Sequence, residues 1–178
     1  MLITGMILVS SAHADEGGVS FWLPGQYGSL AAVAPSPGFA VSTMSYYYGG
    51  NAGRDRPLNR GGGRSFGVDT DYFAQLIVPT YTLDTAFLGA RPSFSIAFAP
   101  SWNRTSAEVG LGALSARRSD ELAGFGDMYP TAQLFWEQGV NNWMAYVTGD
   151  IPVGRYDPAR LANLGIGHAA VGVGGSYT

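Results

Sequence analysis

The chain has 178 residues, no Cys, 10 basic residues that are all Arg, and a formal net charge of −3. Disulfides, thiolate metal sites, a P-loop lysine and Schiff-base chemistry are thereby excluded, and nucleic acid is offered no basic surface. Charged residues make up 13%, well under the ~25% of ordinary soluble domains, while aromatics also reach 13% and Gly numbers 26; that balance leaves open a soluble β-protein, a membrane barrel or an amyloid-like tract.

In chain order, Leu2 to Val9 is a short apolar run, followed by Ala12-His13-Ala14. This small-x-small arrangement predicts an exported chain with a signal peptide over 1–14, cleaved after Ala14. No basic residue precedes the run, which departs from the usual signal pattern, and a buried first strand is the competing reading. No other stretch approaches the ~18 apolar residues of a spanning helix, so membrane entry requires strands closed into a barrel.

Residues 15–38 are rich in Gly, Pro and Ser and have no clean period. Their centre, Phe21 to Ala32, is too apolar for a solvated linker and too Pro/Gly-broken for a long helix. An ordered irregular segment, packed against another part of the chain, is expected.

Strand patterns occupy 39–178. Ala40 to Tyr48 is the first, and Gly49 to Arg64, with four Arg and many Gly, reads as a long polar loop. Tyr72 to Leu83 follows, interrupted by Pro79. Ser93 to Trp102 is the clearest strand: Phe94, Ile96, Phe98, Pro100 and Trp102 occupy one parity, and Ser93, Ser95, Ala97, Ala99 and Ser101 the other. Such alternation is the transmembrane-strand pattern, apolar to lipid and small or polar to the lumen, with Trp102 at an interfacial girdle. Ala107 to Leu114 is a weaker segment, and Arg117 to Glu121 a charged loop. Tyr129 to Trp136 and Trp143 to Val153 alternate again around the turn Gln138 to Asn142. Arg155 to Asn163 reads as a polar loop, and His168 to Thr178 as a last Gly-rich strand.

Long loops thus alternate with short turns, as in outer-membrane barrels. The predicted fold is all-β, an antiparallel transmembrane β-barrel of the outer membrane. Six or seven strands are visible against a usual minimum of eight, which predicts that the chain is an incomplete N-terminal portion of a longer barrel.

Chemistry-bearing motifs are sparse. His13 falls in the signal peptide, and His168 lies among Gly and Ala without an acidic partner at ligand spacing. Asp69 and Asp71 could share a strand face and bind a cation; a solvated strand end is the simpler account. Gly61-Gly62-Gly63 between Arg60 and Arg64 lacks the helix and Lys of a phosphate cradle. Arg54, Arg56, Arg60 and Arg64 could face anionic lipopolysaccharide or only solvent. No enzyme activity, metal or cofactor is expected.

Three stretches carry a resemblance: Phe21-Trp-Leu-Pro-Gly-Gln-Tyr-Gly-Ser-Leu-Ala-Ala32, Gly124-Phe-Gly-Asp-Met-Tyr-Pro130, and Tyr146-Val-Thr-Gly-Asp-Ile-Pro-Val-Gly-Arg-Tyr-Asp-Pro158 continuing to His168. Together they resemble the outer-membrane proteins labelled as involved in the meta-pathway of phenol degradation, regarded as β-barrel transporters of aromatic or other hydrophobic compounds. Family members are typically longer. The resemblance implies outer-membrane localisation, contact with lipid and lipopolysaccharide, and passive uptake of small aromatic or hydrophobic molecules. It also suggests that 15–38 enter the lumen as a plug, with Phe21, Trp22, Leu23 and Tyr27 lining the passage. Further lumen candidates are Tyr46 or Tyr47, Tyr81, Tyr146, Ser93, Ser95 and Ser101, although parity does not say which face is inward. A structural or adhesive barrel without cargo, and a periplasmic ligand-binding β-sandwich, remain the alternatives.

Overall fold

The computed structural model describes residues 27–28, 30–58, 62–112 and 114–178. The signal peptide over 1–14 with its cleavage at Ala14, and Phe21, Trp22 and Leu23, lie outside the described residues. The rest forms one six-stranded antiparallel sheet, with the strands side by side in chain order: β1 (Gly38–Leu58), β2 (Gly62–Thr82), β3 (Arg91–Leu111), β4 (Leu114–Gln138), β5 (Asn141–Asp150) and β6 (Ala170–Tyr177). No helix occurs among the described residues. β1 and β6 are the two edges, and the sheet is not closed.

Two stretches expected as loops are strand instead. β1 and β2 pair without a break from Gly38↔Thr82 to Leu58↔Gly62, so most of 49–64 is an extended hairpin. The charged run 117–121 is the start of β4, paired with the end of β3, and the separate segment expected over 107–114 is divided between these two strands. The physical reason is complementarity across the ladder. Arg104 stands opposite Glu121, and Glu108 opposite Arg117, and opposite charges facing one another favour pairing. Pro79 does not end β2: it pairs with Val41 of β1, while pairs to β3 resume on either side of it at Ile77↔Phe98 and Thr80↔Ser95.

Register sorts the side chains onto two faces. On the outer face lie Phe39, Val41 and Tyr47 of β1, Phe73 and Tyr81 of β2, and the parity Phe94 to Trp102 of β3. Trp143 and Val147 of β5 and Val171, Val173 and Tyr177 of β6 continue it. Most of these are exposed, Phe39 at 70% and Val173 at 73%. On the inner face the buried residues collect. Tyr72, Ala74, Leu76, Ala97, Ala99 and Leu122 form a core with Ala162 and Leu164.

Those last two residues come from the connection between β5 and β6. Arg155 to Asn163 was expected as a solvated loop; residues 151–169 fold back onto the inner face, and 162–166 are buried throughout. The loop reading fails because the segment alternates. Ala162, Leu164 and Ile166 are buried apolar, and the intervening Asn163 is buried and bonded. Its side chain accepts from the Asp157 N–H at 2.8 Å and donates to the Asp157 carbonyl at 3.2 Å, while its own carbonyl accepts from Asn103 Nδ2 at 2.8 Å. Burial of an irregular segment is tolerable because its polar groups are satisfied in this way.

The inner face and the two segments that cover it

The inner face is polar but internally satisfied. Hydroxyls pair across neighbouring strands: Thr82 with Ser93 at 3.0 Å, Thr70 with Thr105 at 2.9 Å, and Thr131 with Thr148 at 2.8 Å. Tyr72 donates to Ser101 at 3.1 Å, and Ser101 in turn donates to the Ala99 carbonyl at 3.1 Å. Tyr46 meets Tyr72 edge-on, with ring centroids 6.4 Å apart. This surface could hold small molecules by contact with aromatic rings and hydroxyls. No group of three or more His, Asp or Glu suited to a metal occurs among the described residues.

Residues 151–169 cover the half of this face nearer the long hairpin tips, and two carboxylates of β4 hold them there. Asp127, fully buried, accepts the Gly154 N–H at 2.7 Å through Oδ1 and the Ile166 N–H at 2.8 Å through Oδ2. It is placed by an irregularity in the register between Phe98↔Met128 and Pro100↔Phe125, where β4 has one more residue than β3. Gly154 and Gly165 are required by this approach, because a Cβ at either would stand 2.8 Å or less from an Asp127 oxygen. Asp120 takes a two-pronged bond from Arg160, Nε to Oδ2 at 3.0 Å and Nη2 to Oδ1 at 2.6 Å, and also accepts the Ala162 N–H at 3.2 Å. Beside this latch a polar cleft of about 280 Å³ is lined by Leu122, Arg155, Tyr156, Asp157, Arg160 and Asn163.

The described part of the N-terminal segment covers the other end. Ala32 is fully buried against Phe135 and Met144, with Tyr27, Ala31, Ala34 and Tyr146 around them. Arg91 donates to the Pro35 carbonyl at 3.4 Å and pairs with Glu137 at 3.0 Å. Tyr27 stacks on Tyr146 with ring centroids 4.0 Å apart and planes 12° from parallel. Its hydroxyl is turned to Thr131 and Thr148, and burial, with Tyr146 adding to it, raises its pKa above the ordinary tyrosine value.

Of the residues expected to line a lumen, the structure brings Tyr27 and Tyr146 into contact. It places Tyr46, Ser93, Ser95 and Ser101 on the same inner face, with Tyr47 on the outer one. Tyr81 does not join them. It is 53% exposed on the outer face, opposite Phe39 and Phe94. The residues that sequence reasoning missed are Asp127, Asp120, Arg160 and Asn163. Asp127 was visible only as part of the quoted stretch Gly124 to Pro130, whose buried partner is the equally quoted stretch after Tyr146.

The outer face has its own pattern. Phe39, Tyr81 and Phe94 stand in register across three strands, and Tyr47, Phe73 and Trp102 form a second row in register across the same strands. Toward β6, Trp136, Trp143 and Tyr177 form a third row, the last two with ring centroids 4.6 Å apart. An apolar cavity of about 620 Å³ also opens on this face, between the β2–β3 turn at Ala86 and Phe87 and the side chains of Phe94, Leu134, Ala145 and Val147.

One protein-family model, described as "Putative MetA-pathway of phenol degradation", matches residues 54–178. Comparison with curated proteins and with solved structures found no match.

Proposed function

The chain belongs to this phenol-degradation family, and from that premise we propose that it is part of an outer-membrane β-barrel through which small aromatic or hydrophobic compounds pass. The observation that carries the reading is the pair of aromatic rows on the outer face. They bound Phe39 to Tyr47, Phe73 to Tyr81 and Phe94 to Trp102, stretches of about nine residues, or ~27 Å at the rise of a strand. Nine residues is within the ~9–11 that a tilted strand needs to cross a bilayer core, and the two rows stand where an outer-membrane barrel carries its aromatic girdles. Beyond the second row β2 and β3 carry Asp71, Arg104 and Glu108, and the neighbouring β4 carries Arg117 and Glu121, as suits hairpins rising into water.

The inner face supports passage rather than simple anchoring. Small hydroxyl-bearing side chains and aromatic rings offer weak successive contacts, and weak sites release their cargo. A soluble sandwich would bury the outer face beneath a second sheet, and the described residues form one sheet only. The proposal carries a requirement of its own. Unpaired strand edges are not viable in lipid, so β1 and β6 must be paired in the membrane by further strands or by another copy.

Separation of inner and outer membranes, followed by uptake of labelled phenol into liposomes carrying the purified protein, tests both parts. Protein confined to the outer membrane and faster phenol entry than into empty liposomes supports the proposal. Outer-membrane protein without phenol entry would leave a structural or adhesive barrel, and a protein extracted without detergent would overturn the membrane reading.

A further inference from the structure

Tyr27 is itself a phenol, and the place where its ring sits has the features of a site for one. The floor is Tyr146 of β5, lying flat across the neighbouring strand β6: a Cβ added at Gly174 would stand 2.5–2.9 Å from the outer part of the Tyr146 ring. A glycine there lets the tyrosine lie down and present its face. Tyr27 stacks on that face at 4.0 Å and 12° from parallel, an arrangement that favours any flat aromatic ring. At the polar end are the Thr131 and Thr148 hydroxyls, already bonded to one another at 2.8 Å and each able to donate or accept. Nearby, Phe135 and Met144 supply apolar surface, and Gln133 donates to the Met144 sulfur at 3.2 Å.

In the segment that carries Tyr27, Ala32 is fully buried while Leu30 and Val33 are exposed. Two of the segment's backbone hydrogen bonds, Ala31 N–H to Gly28 O at 3.2 Å and Val33 N–H to Leu30 O at 3.0 Å, close turns within it. The ring can therefore leave while Ala32 stays seated.

We propose that the pocket formed by Tyr146, Thr131 and Thr148 is a binding site for a free phenol, and that Tyr27 occupies it as a built-in surrogate which an incoming phenol displaces. The inference deepens the transport reading and rests on it for its purpose, but the site can be tested without a membrane. The phenolic hydroxyl replaces that of Tyr27 at the two threonines, and the ring replaces the stack on Tyr146. Because the surrogate competes, affinity is reduced in proportion to the time the pocket is filled.

The test is calorimetric titration of the full chain in detergent with p-cresol, which is the tyrosine side chain cut free, and with toluene, its analogue lacking the hydroxyl. Saturable p-cresol binding to the unaltered protein is expected, tightened about 10-fold or more by Tyr27→Ala and by a smaller factor by Tyr27→Phe, which keeps the ring and removes only the hydroxyl. Toluene should bind at least about 10-fold more weakly, since a site built around a hydroxyl rejects the analogue without it. Gly174→Val, which tilts Tyr146 off the sheet, should weaken p-cresol binding. Near-ultraviolet circular dichroism matching the unaltered protein verifies that each variant is folded. The proposal is overturned if p-cresol binds only after Tyr27→Ala, which would mark a cavity made by the mutation, if neither Tyr27 variant changes the affinity, or if toluene binds equally well. Intact binding in detergent with no phenol entry into liposomes would sink the transport reading and leave the site standing.

Discussion

The indole N–H of Trp102 donates to the Glu121 carboxylate at 2.8 Å. Two strands away in the same aromatic row, the Tyr47 hydroxyl donates to Asp71 at 2.7 Å. In both pairs the ring marks the end of the apolar stretch, and the carboxylate lies on the next outward-facing position toward the hairpin tip. An amphipathic ring with its polar end tied toward the charged side is the arrangement suited to a boundary between hydrocarbon and water.

The first prediction places a charge inside that boundary. Phe98 has the outer parity of β3, midway between Phe94 and Trp102, while Val109 has the inner parity, lies beyond Trp102 toward the hairpin tip and is 55% exposed. Phe98→Arg is expected to destabilise the protein in lipid vesicles by about 2–4 kcal/mol, as for Arg at a bilayer midplane, and Val109→Arg to have little effect. Urea unfolding in vesicles measures both. Equal tolerance of the two substitutions would show that the outer face does not meet lipid.

The two faces were legible in the sequence wherever the period of two was strict, as in Ser93 to Trp102. The extended hairpins were not. Arg117 to Glu121 signals a loop when read alone and a strand when set opposite Arg104 and Glu108, and the pairing depends on a register that the chain does not display. Tyr81 illustrates the same gap within a strand. It shares parity with Phe73 and Pro79 rather than with Tyr72 and Leu76, and only the burial of Ala74 and Leu76 reveals which parity is inward. The inward fold of 151–169 was hidden by its Pro, Gly and charged residues, whose polar groups find partners in Asp127, Asp120 and Asn103 rather than in water.

Removing one of those partners should free the segment. Asp127→Ala leaves the Gly154 and Ile166 N–H groups without acceptors in a buried place, a loss of about 1–3 kcal/mol for each group. Trypsin cleaves after Arg155 and Arg160, both within the covering segment. Cleavage there is expected to accelerate at least about 10-fold, the factor that ~1.4 kcal/mol of easier local opening supplies. In liposomes the same variant should admit phenol faster. Unchanged cleavage would mean that the segment is held by its apolar contacts alone.

A crowding test reaches the same contact from the other side. A Cβ at Gly165 would lie 2.5 Å and 2.6 Å from the two Asp127 oxygens, whereas one at Gly67 meets nothing within 4 Å. Gly165→Ala should cost about 1–3 kcal/mol, the usual penalty of overpacking, and Gly67→Ala far less. Thermal unfolding of the two variants side by side provides the measurement. A cost of Gly165→Ala that disappears when it is made in the Asp127→Ala background would assign it to this one contact.

The last prediction concerns acid. Asp120 lies at the level of Thr105, on the water side of the Trp102 row, and the two-pronged Arg160 bond holds its pKa at about 2 rather than 3.8. A carboxylate with a depressed pKa contributes stability that is fully present above the unfolded value and is lost as pH falls through the folded one. The latch should therefore be intact at neutral pH and weaken progressively between pH 3.8 and about 2. Arg160→Gln removes the guanidinium, so the Asp120 titration should move up toward 3.8. Carbon-13 shifts of the Asp120 carboxyl group follow the titration directly, and protection of the Ala162 amide, which donates to Asp120, reports whether the segment leaves with the proton. If Asp120 titrates at the same pH in both proteins, the Arg160 bond is not what fixes its charge. If it shifts while the Ala162 amide stays protected, Asp127 holds 151–169 without help from the outer latch.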